Sequence, residues 1–225
     1  MKLSEEMKNK TLLSFELFPP KTEKGLQNLP GTIDHLMKYN PSYISCTYGA
    51  GGGNVGANRE VCQMIKNAGT TPVTHFTVIK NTKEGIKEQL DQYLADGVDH
   101  MLALRGDIPL GETTTCGDFD YATDLVKFVR DTYGDKFEIA VAGSPEGHIS
   151  CRSLESDIAV LKQKQDNGAD YIMTQLCWDM EQFKYWLDAI RKAGITMPVD
   201  VGVMPILDQA ATINMALSRN GCVMA

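Results

Sequence analysis

The sequence predicts an α/β protein built as a (β/α)8 TIM barrel that lacks its last strand–helix unit, and three observations carry that prediction. Apolar segments of strand length alternate with stretches of helical periodicity along the 225 residues. Four phrases, "KNAGTTPVTHFTV", "LADGVDHMLALRGD", "QDNGADYIMTQL" and "RKAGITMPVDVGV", share one grammar: a helix end, a glycine (Gly69, Gly97, Gly168, Gly194), then a strand. Glycine just past a helix C-terminus takes the left-handed conformation at little cost. Finally, no G-x-G-x-x-G follows the first strand, and seven units of roughly 30 residues suit a barrel better than a Rossmann sheet. An open doubly wound sheet is the second choice.

Taken in order, the first strand is expected over 12–18, "LLSFELF", where Phe15 and Leu17 alternate against Ser14, Glu16 and Phe18. Pro19 and Pro20 end its ladder and leave Glu16 at the mouth of whatever the strand builds. Further strands are expected near 43–48, 72–78, 100–106, 137–143, 171–177 and 198–204. Between them Ile86, Leu90, Tyr93 and Leu94 share one helical face, as do Phe183, Leu187 and Ile190. Thr82, Ser153 and Asp179 are expected N-caps, and Asp179 with Gln182 has capping-box spacing. The whole of 1–225 reads as a single domain. It stops at "SRNGCVMA", in or after the seventh helix, so the first and seventh strands are expected to lack partners and to invite self-association or a partner subunit.

Composition narrows the function. A net charge of −7, with no run of Lys and Arg among aromatics, argues against nucleic acid. No apolar run approaches the ~18 residues of a membrane span, and "MKLSEEMKNK" has no apolar leader core. Cys46, Cys62, Cys116, Cys151, Cys177 and Cys222 are scattered without C-x-x-C or metal-ligand spacing, so they are expected to be reduced, buried small residues in a cytoplasmic protein, with no metal.

Barrel chemistry gathers at C-terminal strand ends, and here those ends are polar. They carry Glu16, Thr47 in "CTYGAGGGN", His75, Arg105 with Asp107 in "ALRGD", the "GSPEGH" turn, Gln175 and "GVMP". Each has a plainer reading. His75 alone is more often a satisfied core histidine, Gln175 an interior hydrogen-bonding group, and Arg105 with Asp107 a structural ion pair. The glycines of "GAGGGN" resemble a phosphate cradle but lack the lysine of a P-loop. Their joint placement favours a site for a polar, partly anionic ligand. Met101, Ala103, Arg105 and Asp107 share one parity, which is expected to put cation and anion at the mouth together, with Gly106 admitting a flat ligand close to the backbone.

Together, "SFELFPPK", "TYGAGG", "THFT", "LALRGD", "DNGADYIMTQLCWD" and "GVMPI", in this order over about residues 12–206, resemble the methylenetetrahydrofolate reductase family. The resemblance implies an FAD-containing barrel that takes a hydride from NADH or NADPH and delivers it to 5,10-methylenetetrahydrofolate, giving 5-methyltetrahydrofolate for one-carbon and methionine metabolism. It implies that Glu16 is the general acid, that Asp107 lies near flavin and folate, and that Gln175 hydrogen-bonds the pterin. Thr47, Ala50, His75, Arg105, Gly106, Asp107, Tyr121, Ala122, His148, Asp157 and Lys164 fall where the family contacts FAD. Arg105 and Lys164 are suited to phosphate and Asp157 to a ribose hydroxyl, although Asp157 and Lys164 also read as a solvated helix face. Ser144, Val160 and Gln163 depart from the family's usual flavin contacts, and Met215 stands where an aromatic commonly packs on substrate or nicotinamide. The alternatives are a non-catalytic, flavin-binding or accessory homologue and a different pterin-binding barrel such as a methyltransferase.

Overall fold

All seven expected strands form, most of them shorter than their apolar runs because polar loop residues take over at the C-terminal ends. The computed structural model describes residues 2–48, 55–108, 111–148, 151–204 and 206–217, with backbone only for 55, 56, 211 and 215–217. The strands are β1 (Ser14–Leu17), β2 (Tyr43–Cys46), β3 (Thr71–Thr77), β4 (His100–Leu104), β5 (Glu138–Gly143), β6 (Tyr171–Thr174) and β7 (Val199–Asp200). The helices are α1 (Leu3–Met7), α2 (Glu23–Met37), α3 (Val55–Asn67), α4 (Lys83–Ala95), α5 (Ala122–Tyr133), α6 (Leu154–Asp166), α7 (Met180–Lys192) and α8 (Gln209–Leu217). The chain divides into two units, 1–139 and 140–225.

In the first unit β1, β2, β3 and β4 are parallel neighbours in chain order, and in the second β5, β6 and β7 are. Parallel strands that advance one place per crossover helix follow the progression of a (β/α)8 barrel, with seven units among the described residues. A doubly wound sheet would reverse its order at a switch point. Gly69, Gly97, Gly168 and Gly194 have φ of 94°, 71°, 103° and 78°, the left-handed geometry their place in the repeat requires. Thr82 and Ser153 cap their helices, accepting from Gly85 N at 3.1 Å and Ser156 N at 3.2 Å. Asp179 accepts from the Glu181 and Gln182 amides, but Gln182 completes no capping box: its Nε2 donates to the Pro145 carbonyl at 3.0 Å.

Register fixes which face does what in the first unit. Ile44, Cys46, Phe76, Met101 and Ala103 are fully buried. Thr74 and Phe76 meet the helices through Asn58 of α3 and Tyr93 of α4. Buried Asn58 satisfies itself completely: Oδ1 accepts from Thr74 Oγ1 at 2.8 Å and Tyr93 Oη at 2.7 Å, and Nδ2 donates to the Cys46 and Thr47 carbonyls. Of the described cysteines only Cys46 and Cys62 are buried. Cys116 is exposed and Cys151 and Cys177 are half-buried, because they lie in loops rather than under helices. Cys222 lies outside the described residues.

At the N-terminal ends of the strands Glu138 holds α1, a helix the sequence did not announce. Its carboxylate accepts from Leu3 N at 2.7 Å and Ser4 N at 2.8 Å. His100 Nδ1 lies 2.6 Å from Asp99 Oδ1. His100 Nε2 lies 2.9 Å from Glu138 Oε2, outside hydrogen-bond geometry, so that contact is an ion pair. Burial alone would raise the Glu138 pKa, but His100 and the α1 amides take it down to about 2. Burial alone would lower His100, but Asp99 and Glu138 raise it to about 9. In the second unit, Gly143 is required by packing, since a Cβ there would lie 2.7 Å from Ile172 Cγ2 and 3.0 Å from the Trp186 ring. Among the described residues no helix is long and apolar enough to cross a membrane.

Candidate active site

Near the C-terminal end of β1, Glu16 pairs in register with Ser45 of β2, which pairs with Val73 of β3. These three, with His75 and Thr77 further along β3, occupy the sheet face turned away from α3 and α4. Glu16 Oε2 lies 3.5 Å from His75 Nε2. The Glu16 side chain is 46% exposed, yet no described cation pairs with it, and the protein around the carboxyl removes enough water to raise its pKa. Burial takes His75 the other way, down to about 4, so the imidazole is neutral at pH 7. His75 is not a satisfied core histidine, because its buried Nε2 has no hydrogen-bond partner among the described residues. Ser45 Oγ and Thr77 Oγ1 share that condition. A buried polar atom left unbonded costs about 1–3 kcal/mol.

The remaining residues of the first unit lie along the same strand ends. Thr47 follows β2, its amide donating to Leu17 O at 2.9 Å and its carbonyl accepting from Asn58 at 3.0 Å. Ala50 and the rest of "GAGGGN" lie outside the described residues. Arg105 is half-buried, donates from Nε to the Gly106 carbonyl at 3.3 Å, and among the described residues forms no ion pair with Asp107. The expected parity of Met101, Ala103, Arg105 and Asp107 does not place the last two. Met101 and Ala103 face the helices, β4 ends at Leu104, and Gly106 turns the chain at φ 84°. Asp107 is exposed. At Gly106 a Cβ would come within 2.5 Å of Ile79 Cγ1 and 3.1 Å of Thr77 Cβ, so both conformation and space call for glycine. Tyr121, exposed, precedes α5 with its amide donating to Asp124 Oδ2 at 3.0 Å, and Ala122 is the buried first residue of that helix.

In the second unit Lys164 is no solvated-face residue. It is drawn in from α6 so that Nζ donates to the Ala142 carbonyl of β5 at 3.0 Å, and burial lowers its pKa. Asp157, one face of the same helix, accepts from Cys151 Sγ at 3.6 Å. His148 is half-buried, and its carbonyl accepts from Cys151 N at 2.9 Å. Gln175 follows β6, with its amide donating to Gly143 O at 2.8 Å and its Oε1 accepting from Leu176 N at 2.8 Å. Glu146 Oε1 ties the loop after β5 to the loop after β6, accepting from Trp178 N at 3.1 Å and Asp179 N at 3.2 Å. Ser144 is half-buried, whereas Val160 and Gln163 are exposed on α6. Met215 lies in α8, and its side chain is outside the described residues.

A profile of the methylenetetrahydrofolate reductase family matches residues 2–219. The chain belongs to the methylenetetrahydrofolate reductase family. "Methylenetetrahydrofolate reductase (NADH) 1" of Arabidopsis thaliana is 38% identical over 219 residues, covering 92% of this chain and 37% of that protein. "5,10-methylenetetrahydrofolate reductase" of Salmonella typhimurium is 34% identical over 202 residues, covering 89% of this chain and 67% of that protein. The chain thus spans little more than a third of the length of its plant relatives. Among solved structures, an uncharacterized protein from Clostridium thermocellum that binds two copies of 5-methyl-5,6,7,8-tetrahydrofolic acid superposes with a TM-score of 0.66. It is 14% identical, with 95% of this chain and 73% of that chain covered. A 2,3-dimethylmalate lyase gives a TM-score of 0.59 at 11% identity, with 95% and 81% covered. Both likenesses are of fold.

The sequence of this reductase-family chain does not single out Ser45 and Thr77 in the first unit or Glu146 in the second. Strand alternation was the signal available for the first two, since "SYISC" and "THFT" place Ser45 and Thr77 in phase with His75 once the register is known. Glu146 gives no signal, because its partners are backbone amides 32 and 33 residues away.

Proposed function

We propose that this chain is a cytoplasmic reductase module that converts 5,10-methylenetetrahydrofolate to 5-methyltetrahydrofolate, using bound FAD and NADH or NADPH. The observation that carries the reading is the Glu16–His75 pair at the strand ends, a carboxyl with a raised pKa beside a neutral imidazole. A carboxyl whose pKa is raised is better suited to act as a general acid. Glu16 would give that proton to a folate ring nitrogen, the C–N bond of the methylene bridge would break, and the electron pair would pass to nitrogen. The cationic iminium left behind accepts a hydride at the methylene carbon. Asp107 would favour that cation by its charge, and Gln175 would orient the pterin.

Residues present in each unit suit a flavin. Among the described residues Arg105 bonds through Nε alone and Lys164 through one carbonyl, so each has positive charge to offer a phosphate. Gly106 supports the site through its turn at φ 84° and not by opening room for a flat ring, since Ile79 and Thr77 fill the place of its missing side chain. FAD, when bound, accepts the hydride from the nicotinamide and passes it to the folate. The decisive measurement is made on the purified chain. Its absorption spectrum should show bound flavin, bleaching on addition of NADH or NADPH and recovering on addition of the folate. A flavin-free chain that neither takes up FAD nor oxidises either nucleotide would defeat the reading.

A further inference from the structure

Ser45, His75 and Thr77 are 1%, 6% and 3% exposed, and each leaves a buried polar atom with no partner among the described residues. All three stand on the face that carries Glu16, where Glu16 and Ser45 are register partners and His75 and Thr77 follow Val73 at successive same-face positions. Alternate residues of a strand lie about 6.6 Å apart. One water making two hydrogen bonds of about 2.8 Å spans at most about 5.6 Å, so joining neighbouring side chains of the row takes one or two waters. Buried polar atoms in folded proteins are nearly always bonded, often to ordered water, and water needs several polar partners to stay. Here three lie in one row beside a carboxyl, and none is paired with another.

We propose that Ser45, His75 and Thr77 hold a short chain of buried water molecules that returns to Glu16 the proton it donates, with His75 positioning the carboxyl. This rests on the reading of Glu16 as a general acid. The balance is simple: a proton enters from solvent, passes along hydrogen-bonded water to the ionised Glu16 carboxylate, and leaves on the substrate nitrogen, with no change of oxidation state in the chain. Direct His75–Glu16 bonding at 3.5 Å is too long to do this alone. Among the described residues, the titratable groups near Glu16 are His75 on β3 and Cys46 on β2. The Cys46 thiol stays neutral through its contact with Cys62 and its burial.

The test uses the whole purified chain, with Ser45→Ala and Thr77→Val each checked for an unchanged fold by circular dichroism. The Glu16 side-chain carbon is titrated by ¹³C NMR, its signal assigned by its loss in Glu16→Gln. Removing either hydroxyl should raise the Glu16 midpoint by about 0.5 pH or more, because the carboxylate loses donated hydrogen bonds. Folate reduction should slow about 3- to 10-fold with a larger solvent deuterium isotope effect, while flavin reduction by the nicotinamide stays the same. A crystal structure of the unsubstituted protein should show water bonded to all three side chains. A dry row, a flavin atom making those three bonds, or an unmoved Glu16 titration in folded variants would overturn the proposal. If either variant fails to fold, the other and the crystal structure decide. A moved titration in a chain that reduces no folate upholds the water chain and sinks only the reductase reading.

Discussion

The first unit contains two glutamate–histidine pairs, one at the beginning of its strands and one near their ends, and the pKa shifts of the two run in opposite directions. At the floor, Glu138 is taken down to about 2 and His100 up to about 9, so both are ionised at neutral pH. At the rim, the Glu16 pKa rises and His75 falls to about 4, which favours the neutral form of each. Residue type is the same and burial acts in the same sense on both pairs. What differs is compensation. Glu138 receives two backbone amides and a histidine that is itself held by Asp99, whereas among the described residues Glu16 has one contact of 3.5 Å and no carboxylate holds His75 from its other side. A compensated pair fastens structure together; an uncompensated pair keeps a proton in play.

The largest expected effect comes from removing the proton at the rim. Glu16→Gln keeps the shape and loses the acid, so folate reduction should fall by about 10² to 10⁴. Flavin content and flavin reduction by the nicotinamide should stay within about twofold, since that step needs no general acid. Single-turnover spectroscopy separates the two steps. If the variant loses flavin but its loaded fraction still reduces folate normally, Glu16 is structural and the contrast between the pairs dissolves.

Next in size is the floor. Glu138→Gln leaves His100 and the α1 amides without their anion, and breaking one side of a buried pair costs about 3–5 kcal/mol. Activity per folded molecule should be unchanged. His75→Leu should behave in the opposite way, with stability changed by no more than about 1 kcal/mol because no hydrogen bond between the His75 Nε2 and the described protein is lost, while folate reduction drops. Urea denaturation of the two variants beside the unsubstituted chain gives the comparison. Equal destabilisation would mean that the rim pair is as structural as the floor pair.

Stability should also report the two pairs through pH. His100, raised in the fold, contributes stability that is complete below its ordinary value of 6.5 and is lost as pH climbs through about 9. Glu138, depressed in the fold, contributes stability present above 4.5 and lost as pH falls through about 2. His75, lowered in the fold, makes the unfolded chain bind more protons between pH 6.5 and about 4, so stability also declines on acidification there. The thermal midpoint should therefore fall between pH 6.5 and 9 in the unsubstituted chain and flatten over that range in His100→Gln. A His75→Leu variant should lose the decline between 6.5 and 4 and keep the alkaline one. An alkaline limb that persists in His100→Gln would assign it to some other group.

The rim was the more legible half of this contrast. Glu16 and His75 stand out in the sequence because strand alternation and two prolines mark one carboxylate, and a polar residue interrupts an apolar run at the other. The direction of their pKa shifts follows from burial, and strand alternation alone does not reveal which partners each side chain meets. The floor was illegible for a different reason. His100 and Glu138 look like ordinary strand-leading polar residues, and the five-residue helix that Glu138 secures is too short for periodicity to reveal. Strand order and the helix-ending glycines were readable because local backbone geometry dictates them. The inward turn of Lys164 was not, because it depends on a carbonyl twenty-two residues away. The parity argument for Arg105 and Asp107 failed at one residue: past Leu104 the chain has left the strand, and alternation no longer says where a side chain goes.

That failure sets the smallest prediction. Asp107, unlike Glu16, is exposed, and a charge in water acts weakly on its surroundings. If it lies about 5 Å from a bound flavin, Asp107→Asn should raise the flavin midpoint potential only by about 20 mV or less, the scale of two charges interacting through solvent. The shift should shrink further at high salt, because exposed charges are screened over about 10 Å at 0.1 M. Folate reduction should slow in the same variant through weaker support of the cationic iminium, by less than in Glu16→Gln. Dye equilibration at low and high ionic strength measures the potential. A shift several times larger that ignores salt would show that ligand binding closes water away from Asp107, and would move this carboxylate from the solvated side of the comparison to the side of Glu16.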